Sequence, residues 1–351
     1  MPVKFAVIGC GRMGKLHARV LSEMDAAELV GVADTHAAAA EAVAAQRRCA
    51  WTTDWRELAD RIDAAVIATP TVHHMDIARD LAAAGKHLLI EKPLTDDLAA
   101  GEAFIELARA HGAIVQVGHA ERFNPAVIAM RKHAIRPKFI DCLRISPYTF
   151  RSTDVGVVLD MMIHDIDIVL MLAGGERVVS VDAVGVNVIG ATEDIANARV
   201  RFANGCIANI TASRLSIKTE RKVHVFSEEA YLSVNYHARS GVVIKKNANL
   251  NLLQMGRRMN AEDLAHLAAT GDYRKLVNVE QLVVDDTAEP LRLQAEAFVA
   301  SIEEGRTPDI SAAAGLAAVH LAQRITETIK THPWDGDPAT GRVGLGVLGE
   351  G

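Results

Sequence analysis

The chain has 351 residues, with 38 Lys and Arg against 44 Asp and Glu, and a formal net charge of −6 at pH 7. Half of the residues are apolar and 23% are charged, which excludes a disordered chain, because such chains are poor in apolar side chains. The acidic balance argues against a nucleic-acid partner, and no apolar run approaches the ~18 residues that a membrane span requires.

The first third of the chain alternates apolar runs with helical segments. Val3–Ile8 is rich in β-branched residues and ends at Gly9, which is typical of a buried parallel strand. Further strands are predicted at Leu29–Ala33, Ala64–Ala68, His87–Ile90 and Ala113–Val117, and helices at about 12–24, 37–45, 54–58, 72–84 and 96–111. This alternation with short loops predicts an α/β fold, a Rossmann-type doubly wound parallel sheet.

The pattern changes near Glu121, where hairpins replace the strand–helix alternation. Asn204-Gly205 joins two alternating runs, a strong hairpin signal. Strands are predicted at Phe139–Ile145, Val178–Val188, Ala196–Phe202, Cys206–Ala212, Val223–Phe226 and Tyr231–Val234, and helices at Val157–Leu172, Leu291–Glu304 and Ala312–Ile329. We therefore expect a domain at 1–121, an α+β domain with a large, mostly antiparallel sheet at 122–333, and a loose tail at 334–351. Within the second domain, the polar segment 247–274 is a candidate lid or oligomer contact.

Gly9-Cys10-Gly11-Arg12-Met13-Gly14 has the pattern G-x-G-x-x-G between a predicted strand and a predicted helix. There the first glycine allows a tight turn, the second lets the backbone approach a pyrophosphate, and the third lets helix and strand pack closely. Asp34 ends the second strand, where a carboxylate binds ribose hydroxyls and repels a 2′-phosphate. The pattern predicts an NAD site. The alternatives are a turn that binds no ligand and an Asp34 that is only a turn residue.

Two later segments carry further candidate residues. Glu91-Lys92-Pro93 follows a predicted parallel strand at the end where ligands bind in such sheets, although a lysine there, taken alone, is more commonly an ordinary exposed residue. Asp160, His164 and Asp167 have helical spacing within an apolar segment. This set is either a buried hydrogen-bonded group, a proton-transfer pair that opens into a cleft, or half of a metal site.

Taken together, the glycine motif, Ala68-Thr69-Pro70 with His74, Glu91-Lys92-Pro93-Leu94 and Asp160-x-x-x-His164 resemble the Gfo/Idh/MocA family of nicotinamide-dependent sugar and inositol dehydrogenases. The resemblance implies a homodimer or homotetramer and a small-molecule sugar substrate. The four widely separated cysteines and the lack of a signal-peptide pattern predict a cytoplasmic protein. No metal is expected, because an ammonium and an imidazole group can supply the acid–base chemistry. The resemblance also implies that Lys92 contacts the reacting hydroxyl group and that His164, with Asp160, is the general base. The cofactor-binding residues it implies are Gly9, Gly11, Arg12, Met13, Gly14, Asp34, Thr69, Pro70, His74, Glu91 and Lys92.

A narrower resemblance lies in residues 117–125 and 151–156, which are similar to the branch that contains UDP-N-acetylglucosamine 3-dehydrogenases. That branch oxidises the sugar 3-hydroxyl group to a ketone on the way to lipid A amino sugars. A nucleotide sugar requires neutralisation of its diphosphate, for which Arg122, Arg144, Arg151 and Arg214 are candidates beside structural ion-pair roles. The substrate-binding residues implied are Arg122, Asn124, Arg151, Asp160 and His164.

Three functions remain open from the sequence. The first is the nucleotide-sugar 3-dehydrogenase, and the second is a dehydrogenase of free sugars or inositols with the same fold. The third is a non-catalytic regulator that binds NAD. The presence of Lys92, Asp160 and His164 favours an enzyme.

Overall fold

The computed structural model describes residues 1–133, 135–149, 155–189, 191–246, 277–285 and 287–332. The candidate lid at 247–274, the predicted tail at 334–351 and Arg151 lie outside these residues. Within the described ranges, no helix combines the length and the apolar character needed to cross a membrane.

The first sheet has six parallel strands in the order β3-β2-β1-β4-β5-β6. This confirms the predicted Rossmann architecture, and only the three-residue β3 is too short for its pattern to predict a strand. The strands are β1 (Val3–Ile8), β2 (Ala27–Ala33), β3 (Ala50–Thr52), β4 (Ala64–Ile67), β5 (His87–Ile90) and β6 (Val115–Val117), and the helices are α1 (Arg12–Ser22), α2 (Ala37–Arg47), α3 (Arg56–Ala59), α4 (His74–Ala83) and α5 (Leu98–Ala110).

The second sheet has eight strands in the order β14-β13-β12-β11-β7-β10-β9-β8, antiparallel except for the β7–β10 pair, as predicted. The sequence pattern does not predict β13 and β14, because each contains only two or three apolar residues, Val242, Val243 and Ile244 in β13 and Val277 and Val279 in β14. The strands are β7 (Phe139–Ile145), β8 (Val178–Val186), β9 (Ile195–Phe202), β10 (Ile207–Ser213), β11 (Glu220–Phe226), β12 (Ala230–Asn235), β13 (Ser240–Lys246) and β14 (Val277–Gln281).

Helix α6 (Pro125–Arg131) precedes the second sheet, and helix α7 (Ile163–Leu172) lies between β7 and β8. A π-helical turn at Val158–Met162 leads into α7. The segment predicted as one helix from Val157 to Leu172 is therefore interrupted by a change of helical register. In a π turn the hydrogen bonds span five residues instead of four, so side chains four apart no longer lie directly above one another.

The last two described helices, α8 (Pro290–Glu304) and α9 (Ala312–Thr331), pack back onto the first sheet. Phe298 of α8 meets Phe5 of β1 with ring centroids 6.1 Å apart, in a core that also contains residues of α1. Helix α9 contacts α5 and β6 of the first sheet and α7 and β8 of the second. These two helices therefore join the two sheets. A cleft lies between the sheets, at the carboxyl ends of β4 and β5.

Candidate active site

The glycine motif forms a tight turn between β1 and α1. Gly9 has a φ of +96°, and a Cβ there would lie 2.5 Å from the carbonyl oxygen of Ala68. A Cβ on Gly14 would lie 1.7 Å from the carbonyl oxygen of Gly9, whereas one on Gly11 would meet nothing within 4 Å. Gly9 and Gly14 are thus required by packing, and Gly11 borders open space. Helix α1 begins there without a side-chain cap, so its free N–H groups suit a phosphate.

A cavity of about 560 Å³ extends from this turn and is lined by Asp34, Thr69 and Pro70. The Asp34 carboxylate accepts hydrogen bonds from the backbone N–H groups of Cys10 at 2.7 Å and His36 at 2.8 Å. The buried hydroxyl group of Thr69 has no hydrogen-bond partner among the described residues. A carboxylate and an unpaired hydroxyl group facing one cavity fit the polar groups of a dinucleotide.

Two residues predicted to bind the cofactor have hydrogen-bond partners in the loops around the cavity. His74 is buried, and its ring nitrogens lie 3.0 Å from the carbonyl oxygens of Pro93 and Thr69. Burial lowers the pKa of His74, although these hydrogen bonds oppose the shift. Glu91 borders the cleft, but its Oε1 lies 2.7 Å from Nε2 of His17 on α1. Both contacts tie neighbouring loops together, so these two side chains position the site.

A second cavity of about 630 Å³ lies beside the first and is lined by both sheets and by the π turn. This volume is within the range of roughly 300–1,000 Å³ that is usual for small-molecule sites. The side chains that face it and were predicted to act in the site are Arg12, Met13, Thr69, Glu91, Lys92, Arg144, Asp160, His164 and Arg214. The structure therefore gathers the three predicted catalytic residues in one cleft.

Lys92 follows β5 at the bottom of this cleft, and the Lys92–Pro93 peptide bond is cis. Its Nζ donates a hydrogen bond of 2.8 Å to the backbone carbonyl oxygen of Asp160 in the π turn. Burial lowers the pKa of Lys92, while the nearby carboxylates of Asp160 and Glu91 oppose the shift. The ammonium group is therefore held at a fixed point and is more acidic than an exposed lysine.

His164 lies one turn into the helical segment, and its Nδ1 is buried without a hydrogen-bond partner among the described residues. Burial, reinforced by the positive charges of Lys92 and Arg144, lowers the pKa of His164 well below 6.5. The imidazole is consequently neutral at pH 7 and able to accept a proton. No hydrogen bond within the described residues joins Asp160 to His164. Asp160 lies in the π turn, where residues four apart are not stacked as they are in an α-helix. Asp160 faces the cleft without orienting the imidazole.

Two predicted substrate-binding residues lie outside the lining of the cleft. Arg122 donates two hydrogen bonds to Asp167, at 2.7 Å from Nε and 2.6 Å from Nη2, in a buried ion pair. Asn124 caps α6 by accepting from the N–H group of Ala126 at 3.1 Å. Sequence spacing does not reveal that these groups have partners inside the protein, and those partners favour a structural role for both side chains.

Two further candidate arginines border the cleft with their guanidinium groups already paired. Arg144 donates to Asp165 at 2.6 and 3.0 Å and to Glu121 at 2.9 Å. Arg214 donates to Asp194 at 2.7 Å and to the carbonyl oxygen of Val155 at 2.9 Å. Removal of either arginine from its partners would leave a buried carboxylate uncompensated.

Arg221 lines the cleft, although no sequence motif marks it as a candidate. It lies on β11 directly opposite Arg144 of β7. Only the register of these two strands, separated by more than 70 residues in sequence, brings Arg221 to the cleft. Arg221 lies on the same face of β11 as the buried Val223 and Val225, which is the local signal that it faces inward.

Two family models match this chain. Residues 3–119, which include the whole first sheet, match "Oxidoreductase family, NAD-binding Rossmann fold". Residues 135–233 match "GFO/IDH/MocA C-terminal domain". Both matches follow the order of the two sheets along the chain.

Several of the individual relatives are dehydrogenases. The chain is 35% identical over 250 residues to UDP-N-acetylglucosamine 3-dehydrogenase of Acidithiobacillus ferrooxidans, covering 69% of this chain and 79% of that one. It is 31% identical over 346 residues to inositol 2-dehydrogenase of Rhizobium meliloti, covering 94% and 97%. The solved structure of the Acidithiobacillus ferrooxidans enzyme superposes with a TM-score of 0.83 at 29% identity, covering 94% and 98%. Levoglucosan dehydrogenase in complex with NADH and levoglucosan has the same fold, with a TM-score of 0.78 at 21% identity and coverage of 94% and 98%.

Proposed function

This chain belongs to the Gfo/Idh/MocA oxidoreductase family, and we propose that it oxidises the 3-hydroxyl group of UDP-N-acetylglucosamine to a ketone. At the coarser level the chain is an NAD-binding sugar or polyol dehydrogenase that acts on CH–OH groups. The observation that supports this particular sugar is the similarity to the Acidithiobacillus ferrooxidans enzyme in both sequence and structure.

The cofactor site in this proposal is the glycine turn with the adjoining cavity. The N-terminus of α1 at Gly11 binds the phosphates, Asp34 binds the ribose hydroxyl groups, and the free hydroxyl group of Thr69 binds a further polar group of the dinucleotide. When bound, NAD supplies the hydride acceptor. Gly11, unlike Gly9 and Gly14, has the open space that a bound phosphate requires.

Proton transfer falls to residues of the second cavity. The neutral imidazole of His164 accepts the proton of the substrate hydroxyl group and passes it to solvent, because its lowered pKa leaves it unprotonated at pH 7. The ammonium group of Lys92 stabilises negative charge that develops on the reacting oxygen. Asp160 lines the same cleft and accepts a hydrogen bond from a sugar hydroxyl group. The overall change is oxidation of the carbinol to a ketone, with one hydride and one proton removed.

A second candidate is oxidation of a free inositol. It is favoured by the Rhizobium meliloti relative, which aligns with nearly the whole chain. The two candidates share Lys92, Asp160 and His164 and differ in the diphosphate that a nucleotide sugar carries.

The two candidates are separated by initial rates of NADH formation at 340 nm. The purified full-length chain is supplied with NAD and, in parallel, UDP-N-acetylglucosamine, UDP-glucose, myo-inositol, scyllo-inositol or glucose. We expect the highest kcat/KM with UDP-N-acetylglucosamine. A higher kcat/KM with an inositol would contradict the proposal and establish the alternative.

We also propose that the protein self-associates through the open face of the second sheet. A cross-strand row on that face consists of Ile207, Phe139, Phe226, Tyr231, Ile244 and Val279. The Phe139 and Phe226 rings lie 5.5 Å apart, and those of Phe226 and Tyr231 lie 4.8 Å apart. Phe226 and Val279 are exposed and the other four side chains are half-buried, and a continuous row of large apolar side chains that solvent reaches is typical of an interface. Light scattering after size-exclusion chromatography should give a dimer or tetramer, and a monomer would contradict this proposal.

A further inference from the structure

The inner face of the second sheet carries two facing arginines at the cleft. Arg144 of β7 and Arg221 of β11 are directly opposite each other in an antiparallel pair. Like charges in such positions repel and destabilise the sheet. Nearby negative charge reduces the repulsion between two such arginines. A guanidinium group that lacks a carboxylate partner in the protein is available to an anionic ligand.

Arg144 is fully occupied inside the protein. Its guanidinium group bonds to the carboxylates of Asp165 and Glu121, and its side chain is 4% exposed. These carboxylates more than offset the effect of burial and raise the pKa of Arg144. Arg144 therefore serves the packing of α7 on the sheet.

Arg221 differs from Arg144 in its exposure and in its partners. It is exposed, it lines the cleft, and within the described residues its guanidinium group has no hydrogen bond and no ion pair. Arg12 is also an unpaired cleft arginine, but it starts α1 beside the glycine turn and so belongs to the cofactor end. Among the described arginines that line the cleft from the C-terminal domain, Arg144, Arg214 and Arg221, it is Arg221 that is available to an anionic ligand.

We propose that Arg221 forms an anion subsite that binds the diphosphate of a nucleotide-sugar substrate and so sets the preference for nucleotide sugars over free polyols. This inference rests on the proposed function and identifies the residue that gives it selectivity. The planar guanidinium group presents paired N–H donors that match phosphate oxygens. Because the whole chain carries a net charge of −6, attraction of an anionic substrate depends on such a local cation.

The test compares binding of UDP and uridine, which differ only in the diphosphate, by titration calorimetry in the presence of NADH. We expect the wild-type protein to bind UDP at least about 10-fold more tightly than uridine. Arg221→Gln should weaken UDP binding by about 10- to 100-fold and leave uridine binding unchanged, because only the phosphate contact is lost. Arg221→Lys should recover part of the affinity, since lysine retains the positive charge but lacks the paired N–H donors of a guanidinium group.

The matched control is Lys222→Gln, which removes the same charge one residue away. Lys222 alternates with Arg221 along β11, so it faces the other side of the sheet, where it contacts Glu220 at 3.4 Å. This variant should bind UDP like the wild type. Equal losses in both variants, no loss in Arg221→Gln, or no preference of the wild type for UDP over uridine would overturn the subsite.

Kinetics with UDP-N-acetylglucosamine distinguishes failure of the subsite from failure of the proposed reaction. Turnover with an unchanged KM in Arg221→Gln would leave the reaction standing and overturn the subsite. Arg221-dependent UDP binding without turnover of this sugar would support the subsite and contradict the reaction. We expect a raised KM with kcat close to the wild-type value and an unchanged thermal midpoint.

Discussion

The ammonium group of Lys92 donates a hydrogen bond of 2.8 Å to the backbone carbonyl oxygen of Asp160. This bond joins the end of a Rossmann strand to the π turn that carries the second cavity. A lysine held in this way cannot swing freely, and burial also lowers its pKa. The backbone carbonyl group of the π turn therefore fixes the position of the Lys92 ammonium group in the cleft.

Replacement of Lys92 by Met should reduce kcat by about 100- to 10,000-fold, the usual range for loss of a charge or proton donor at the reacting centre. NADH binding, measured by fluorescence titration, should change little. Lys86→Met is the matched control. Lys86 precedes the same strand at its other end and makes an equivalent 2.8 Å bond to the carbonyl oxygen of Ile62. Activity in Lys92→Met close to that of Lys86→Met would contradict the assignment.

The pH profile of kcat/KM should show an acid limb below pH 6.5. His164 must be neutral to accept a proton, so activity falls as pH drops through its pKa, which burial and nearby cations place well below the usual value. On the alkaline side, activity should decrease as pH rises and Lys92 loses its proton. Because the pKa of Lys92 is lowered, this alkaline limb should lie below pH 10.5. Stopped-flow rates across the pH range measure both limbs.

His164→Gln tests the assignment of the acid limb. Its residual activity should be about 100- to 10,000-fold lower than wild type and should lack the acid limb. His320→Gln, on the exposed side of α9, should keep the wild-type profile. A wild-type acid limb centred above pH 6.5, or the same limb in His164→Gln, would show that another group accepts the proton.

The pairing of Arg122 with Asp167 predicts a stability effect rather than a substrate effect. Arg122→Met or Asp167→Leu should each lower the free energy of unfolding by about 3–5 kcal/mol, because each leaves a buried charge unpaired. The double variant should lose less than the sum of the two. Thermal unfolding measures this, with Arg131→Met as the control, since Arg131 and Asp309 form an exposed pair at 3.0 Å. A raised substrate KM with normal stability would instead favour the substrate role.

Cofactor selectivity should depend on Asp34. Asp34→Asn keeps the size of the side chain but removes the charge that repels a 2′-phosphate, so the preference for NAD over NADP should fall by at least about 10-fold. Arg56 lines the same cavity and offers a positive charge to that phosphate. Initial rates with both cofactors measure the ratio. The exposed Asp60, outside the cavity, provides the control Asp60→Asn, and equal ratios in both variants would contradict the role of Asp34.

The architecture follows from the sequence because its signals are local. Apolar runs mark β1, β4 and β5, glycines mark the turns, and Asn204-Gly205 marks the hairpin between β9 and β10. The strands β13 and β14 escape prediction because their stability comes from pairing with β12 and with each other rather than from their own composition.

Within the candidate site, the sequence identifies residues at the ends of strands and helices more readily than it identifies the roles of the arginines. Lys92 and His164 reach the cleft because strand β5 and helix α7 end or begin there. The arginines are harder to interpret, because the partner of a guanidinium group is distant in sequence, as Asp167 is for Arg122. The same limit hides Arg221, which only the pairing of β7 with β11 brings to the cleft.

The most direct test of the central claim uses UDP-N-acetylglucosamine deuterated at C3. With NAD and the wild-type chain, the deuterium should appear in the reduced cofactor by mass spectrometry, and the sugar should become a 3-ketone. Transfer of the label would show that the C3–H bond is the one that breaks. Reduction of NAD without transfer of deuterium, or no reduction with this sugar while an inositol is oxidised, would contradict the account.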